Sequence, residues 1–328
     1  MAELRYNPLL RDWTIVASNR QKRPHLPKDF CPFCPGSGQV PDRYDVYKYD
    51  NDFPALMPDP PEPDPVGTPL YKAEPSYGKC EVILYSPDHT AALSDLPVEH
   101  VEKIVALWTE RFAELCQDPR HKYVMIFENR GEEVGVTMPH PHGQIYAYPV
   151  IPLKIKTELA SCQAHYEQTG HCLLCDMNEE EKRFGQRIVA ENEHFICYLP
   201  YFTDYPYGVF IVSRAHKTAI TDFNKAERKS LAEMLKNVTG AMDLIYDRLF
   251  PYMMVMHQRP VSSDVEDYYH FHIEFYPPLR DKDKIKYYAS SEMGAWAATN
   301  PRSVEETAPV LREAYRRFLN RTEGEGER

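Results

Sequence analysis

The sequence predicts an α+β fold made of two tandem copies of one module, each an antiparallel sheet with helices packed on it. The two sheets are expected to adjoin as one long half-barrel. Two observations carry this prediction. In each half, short β-rich runs are interrupted by one long amphipathic helix, and the reactive residues recur in the same order in both halves.

The elements follow in chain order. Residues 12–17 (DWTIVA) and 80–86 (CEVILYS) read as strands, as do 123–129 (YVMIFEN) and 142–148 (HGQIYAY). Between them, residues 97–117 read as a helix, because Val101, Ile104, Val105, Trp108, Phe112 and Leu115 recur at three- and four-residue spacing. The second half repeats the theme. Residues 187–191, 194–199 and 207–213 read as strands, 224–248 as a long helix, and 252–257 and 269–276 as strands again. The proline-rich stretch from Asp52 to Pro75 suits neither a helix nor a central strand. With Phe53, Leu56 and Met57 as apolar anchors, it reads as an extended excursion along the surface.

The repeat lies in the order of its reactive residues. The first half runs Cys31-x-x-Cys34, His89 after a strand, a helix, a strand, and His140-x-His142. The second runs Cys172-x-x-Cys175, His216 after a strand, a helix, a strand, and His270-x-His272. Two copies of one module account for this, divided as residues 1–165 and 166–328.

A formal net charge of -11 argues against sequence-blind binding to nucleic acid, which needs a cationic surface. No apolar run approaches the roughly 20 residues of a membrane helix. The N-terminus has mixed charge and no long apolar region. A cytoplasmic enzyme is the expectation, and in a reducing compartment Cys-x-x-Cys reads as metal or redox chemistry.

Cys31, Cys34, His89 and His140 supply two thiolates and two imidazoles, a tetrahedral set suited to zinc. A redox pair or buried cysteines are the bland alternatives. Cys172, Cys175, His216 and His270 follow by the repeat. Both sets are closed by four protein ligands, so a structural ion is expected. On a strand, His140, His142 and Gln144 share a face. With His140 held by metal, His142 is presented in a fixed orientation and can attack phosphorus to form a phosphoramidate. Gln144 can donate its amide to a phosphate oxygen. In the second copy Glu274 stands where Gln144 stands, and a carboxylate there repels phosphate, so one working centre is expected.

HPHGQ preceded by FENRG resembles the signature of the galactose-1-phosphate uridylyltransferase family of the histidine-triad superfamily. So do LLRDWTIVASNRQKRP, CPFCPG, SPDH, NDFPALMPD and HFHIEFYPPLR, in the family's order over most of the chain. The resemblance implies two histidine-triad-like modules, the first catalytic. It implies UMP carried on His142 and Gln144 on the phosphate. Asn129, Asp52, Phe53 and Val82 match positions around the uridine and its phosphates. Arg20 and Arg23 match arginines contributed across a homodimer interface. Lys286, Tyr287 and Glu292 match a stretch that closes over the sugar phosphate. The implied reaction is ping-pong, from UDP-glucose to galactose-1-phosphate.

The chain departs from the family pattern in three places. Bacterial members carry a second metal, which can be iron, on positions matched here to Glu158, His257, His270 and His272. The cysteine set competes for that role and is favoured by the repeat. Ala298 stands near a glutamine that contacts the sugar, and Met138 replaces a polar residue before His140. A phosphorylase of the ADP-glucose type on the same scaffold is the second enzymatic reading. A non-catalytic nucleotide-binding zinc protein is the third. A dinucleotide hydrolase would need a third alternating histidine where Gln144 stands.

Overall fold

The structure, a computed structural model, describes residues 2–22 and 30–326. Its frame is a nine-stranded antiparallel sheet that stays open and spans both halves of the chain. The first half supplies β3 (Tyr47–Asp50), β5 (Lys79–Leu84), β6 (Tyr123–Arg130) and β7 (His142–Tyr148). The second supplies β8 (Ile188–Glu191), β9 (Phe195–Tyr198), β10 (Phe210–Ser213), β11 (Tyr252–His257) and β12 (His272–Tyr276). Across the sheet the order is β3-β5-β7-β6-β11-β12-β10-β9-β8. The halves therefore join where β6 pairs with β11, with Phe127 opposite Val255 and Met253 opposite Asn129. A small sheet of β1 (Ala2–Asn7), β2 (Asp12–Ala17) and β4 (Ala73–Pro75) covers one side, and β13 (Leu279–Asp281) pairs with β14 (Lys284–Ile285).

Helices α1 (Val98–Leu115), α4 (Lys225–Tyr246) and α6 (Val304–Gly326) pack on one face of the large sheet. The expected stripe of α1 is buried: Val101, Ile104, Val105, Trp108, Phe112 and Leu115 all lie in the core. Helix α4 starts where Asn224 caps it. Asn224 Oδ1 accepts from Glu227 N at 3.0 Å and Glu227 Oε2 accepts from Asn224 N at 2.7 Å, a reciprocal capping box. One apolar core runs under both halves, joining Trp108, Ile126 and Ile145 to Leu235, Met242 and Phe271. On the other side, α2 (Leu153–Thr169) and α3 (Leu173–Phe184) bring Glu158 and Cys172–Cys175 to the second half, and α5 (Ser290–Ala295) follows β14.

The Asp52–Pro75 stretch is irregular until it ends in the edge strand β4, as its prolines allow, and is anchored by the fully buried Leu56 and a bridge from Met57 to Tyr77. Among the described residues, no helix is long and apolar enough to cross a membrane.

Candidate active site

β7 begins at His142, and the turn before it carries His140. The loop of Cys31 and Cys34 folds over this turn. Cys34 N donates to the Cys31 carbonyl at 3.3 Å and Ser37 N to the Cys34 carbonyl at 3.2 Å. Gly36 takes a φ of +81°, a conformation glycine reaches without steric cost. As a result Cys31, Cys34, His89 and His140 converge, with ligand atoms within 4.8 Å of one another. Both rings turn Nδ1 inward: Cys34 Sγ is 3.4 Å from His89 Nδ1 and 3.6 Å from His140 Nδ1. On its far side His140 Nε2 donates to the Ser86 carbonyl at 2.8 Å, with the Tyr44 hydroxyl at 3.1 Å. Such an outer bond fixes the tautomer of a metal-binding histidine. Burial holds the His140 pKa down to about 4, so the ring is neutral at pH 7, as a ligand must be. Burial and the adjacent Cys31 push the Cys34 thiol up to about 11, and coordination to a cation reverses that by stabilising the thiolate. Two sulfurs and two neutral imidazoles at this spacing fit zinc.

His142 follows on the same side of the chain. Its Nδ1 donates to the His140 carbonyl at 2.7 Å, which leaves the lone pair on Nε2. The Phe33 ring stands 5.7 Å from it. Two cavities meet at His142. One is a narrow slot of about 60 Å³ lined by Phe33, Asp52, Phe53, Val82 and Gln144. The other holds about 520 Å³, with Asn129, Glu132 and Arg248 in its walls. Gln144 reaches the slot because β5 pairs with β7 so that Val82 lies opposite it. Asp52 is held by Tyr49, whose hydroxyl is 2.9 Å from both carboxylate oxygens.

The second half copies this geometry with different end groups. Cys172, Cys175, His216 and His270 form a cluster like the first, and His270 Nε2 donates to the Ser213 carbonyl at 2.9 Å as His140 does to Ser86. His272 Nδ1 donates to the His270 carbonyl at 3.0 Å. Its Nε2, however, faces Glu274 Oε1 at 3.3 Å. Burial opposes charge on His272, but the hydrogen bond to Glu274 and the Glu274 and Glu158 charges raise its pKa. His257 Nδ1 bonds Glu158 at 2.8 Å, and Lys154 Nζ bonds Glu274 at 2.6 Å. The sequence posed the cysteine set against Glu158, His257, His270 and His272 as competitors. The structure separates them: His270 belongs with the cysteines, and Glu274 joins Glu158, His257 and His272 in a third cluster. Strand alternation is the reason, because 270, 272 and 274 share one face while the ring of His270 turns back toward the thiols.

Two family models match the chain. One is the N-terminal domain of galactose-1-phosphate uridyl transferase, over residues 1–152, and the other is its C-terminal domain, over residues 158–295. The chain belongs to the galactose-1-phosphate uridylyltransferase family. It is 43% identical over 315 residues to the galactose-1-phosphate uridylyltransferase of Thermotoga maritima, covering 95% of this chain and 98% of that one. A solved uridylyltransferase structure superposes with a TM-score of 0.89 at 33% identity, covering 97% of this chain and 99% of the other. An ADP-glucose phosphorylase from Arabidopsis thaliana shares the fold, with a TM-score of 0.74 at 24% identity over 95% of this chain and 99% of that one.

The remaining positions matched to the family fall elsewhere. Arg20 donates to the Tyr146 hydroxyl at 2.9 Å, on the face of β7 that carries His142 and Gln144. Arg23 lies outside the described residues. Lys286, Tyr287 and Glu292 follow β14 and line neither cavity beside His142. Lys286 Nζ stacks over the Tyr205 and Tyr288 rings at 4.6 and 4.7 Å. Tyr287 is exposed, and Glu292 accepts from Ala289 N at 3.2 Å to cap α5. The sequence reading missed Phe33, Tyr44, Ser86 and Arg248. Phe33 had a signal, since it sits inside the Cys-x-x-Cys loop and must go wherever the thiols go. The others act through side-chain or backbone contacts across long sequence separations, which no local pattern marks.

Proposed function

We propose that this protein moves UMP between UDP-glucose and galactose-1-phosphate, giving UDP-galactose and glucose-1-phosphate, with His142 as the covalent carrier. The observation that supports this most is the 2.7 Å bond from His142 Nδ1 to the His140 carbonyl. It sets the tautomer in which Nε2 is the nucleophile. Nε2 attacks the α-phosphorus of UDP-glucose. The N–P bond forms, the bond from phosphorus to the bridging oxygen breaks, and glucose-1-phosphate leaves with that electron pair. A phosphate oxygen of galactose-1-phosphate then attacks the same phosphorus, the N–P bond breaks, and the ring regains its lone pair. Gln144 donates its amide to a non-bridging oxygen as charge builds there. Asp52, Phe53 and Val82 take the nucleoside side of His142, and Asn129 the sugar-phosphate side.

Residues 1–165 form the catalytic module in this reading and 166–328 its structural copy. Zinc in the two Cys2His2 sets pins the turns ahead of β7 and β12 and takes no part in the phosphorus chemistry. Glu274 keeps phosphate away from His272. That Lys286, Tyr287 and Glu292 line neither cavity beside His142 supports a site completed by a second copy in a homodimer, with Arg20 and Arg23 matched to family positions at that interface. The expected compartment is the cytoplasm.

The test is isotope exchange. Labelled glucose-1-phosphate should enter UDP-glucose with no galactose-1-phosphate present, because the half-reaction runs alone. No exchange would sink the covalent mechanism. Turnover with inorganic phosphate and none with galactose-1-phosphate would make the protein a phosphorylase.

A further inference from the structure

The glycine of His140-Pro141-His142-Gly143-Gln144 is not in a left-handed conformation, so backbone freedom does not explain it. Space does. A Cβ at Gly143 would stand 2.2 Å from the Tyr85 hydroxyl, 3.0 Å from its Cζ and 3.1 Å from the Phe127 carbonyl. His142 and Gln144 face the slot, while Gly143 and Ile145 face the helix-covered core, since strand neighbours alternate. Tyr85 therefore crosses directly beneath the nucleophile. It also grips the strand on the other flank, where Tyr85 N donates to the Pro141 carbonyl at 3.0 Å.

Tyr85 is itself immobilised. Its side chain is buried, its ring meets Trp108 edge-on at 5.7 Å, and its carbonyl accepts from His100 Nε2 at 2.7 Å. Burial and the neighbouring Glu128 charge push its ionisation far above the usual phenol value, so the hydroxyl keeps its proton at every working pH. Glu128 is anchored from the other half of the chain, accepting from the Tyr252 hydroxyl of β11 at 2.9 Å.

We propose that Tyr85 is a positioning residue for His142, holding Pro141 through its N–H and filling the space under Gly143 with its hydroxyl, while Glu128 on the neighbouring β6 is held in turn by Tyr252 of the second half. This rests on His142 being the group that takes UMP. A near-attack geometry is set to fractions of an ångström, so a gap or a clash under Gly143 shifts the ring directly.

Volume compensation tests it. Tyr85→Phe opens a gap under Gly143, Gly143→Ala forces a clash, and the double variant puts a methyl where the hydroxyl was. The measurement is the rate of UMP transfer from UDP-glucose to the protein, by quenched-flow intact mass, together with the KM for UDP-glucose and zinc content. Each single variant should be slower by on the order of tenfold to a hundredfold with KM and zinc unchanged. The double variant should be at least about tenfold faster than the product of the two single effects. Wild-type rates in Tyr85→Phe, or losses that simply multiply, overturn the proposal. Tyr85→Phe keeps its packing on Trp108, so it alone decides the matter should Gly143→Ala fail to fold. No adduct on the wild-type protein overturns the His142 mechanism itself, a result that no variant is needed to read.

Discussion

Changing Gln144 to glutamate would give the first site the end group of the second. The second copy supplies the geometry, since Glu274 Oε1 stands 3.3 Å from His272 Nε2. A carboxylate so placed at position 144 would lie beside the phosphoryl group in transfer. At ~4 Å and an effective dielectric constant of ~20, two unit negative charges repel by ~4 kcal/mol. The carboxyl can escape by taking a proton. Raising its pKa by about 2 to 3 units to do so costs ~3 to 4 kcal/mol at pH 7, so the two limits agree. Gln144→Glu should thus lower the rate of UMP transfer by roughly a hundredfold to a thousandfold at pH 7.5. The loss should shrink as the pH falls, because a protonated glutamate resembles glutamine. The assay is the ratio of variant to wild-type transfer rate from pH 5.5 to 8.5. A variant within threefold of wild type, or a ratio flat with pH, would refute the electrostatic account of why only one copy works.

Other predictions concern metals and the core. Cys31→Ser should release one zinc equivalent and abolish transfer, because His140 loses its anchor beside the nucleophile, as atomic emission and activity would show. Cys172→Ser should also cost a zinc equivalent but leave measurable transfer, whereas His257→Ala should leave both cysteine-bound zincs in place; loss of either of those ions in His257→Ala would contradict the separation of the clusters. Arg111 makes a two-pronged pair with the fully buried Glu81, at 2.9 and 2.8 Å. Arg111→Ala strands that carboxylate and should cost about 3–5 kcal/mol in urea denaturation. Burial raises the Glu128 pKa from 4.5 to about 7. The folded state then holds the extra proton between those values, so this group's contribution to stability is present below pH 4.5 and is lost as pH rises to about 7. Glu128→Gln should remove up to ~3 kcal/mol of that pH-dependent loss, measured as its stability relative to wild type at pH 8 against pH 5.

Much of this was legible before any coordinates. The stripe of α1 and the span of α4 followed from period alone. So did the shared face of His140, His142 and Gln144, since alternation along a strand is nearly obligatory. The two Cys2His2 sets could be assembled from the repeat although their members lie far apart in sequence. What escaped was set by tertiary contact. Helix α6 carries Pro309, which speaks against a helix interior, yet Ala308, Leu311 and Ala314 are buried against the core and hold it. The third cluster was matched to the family as Glu158, His257, His270 and His272, and the residue that completes it in place of His270 is Glu274. Strands β1 and β3 are short and lack a clear alternation, so pairing with neighbours defines them.

The central claim is that His142 takes the UMP. Protein incubated with UDP-glucose, freed of nucleotide sugar and digested with protease should yield a peptide containing His142 that is heavier by one uridylyl group. The same peptide should return to its original mass once galactose-1-phosphate is added. An unmodified peptide in protein that still turns over, or the uridylyl group found on another residue, would contradict the account.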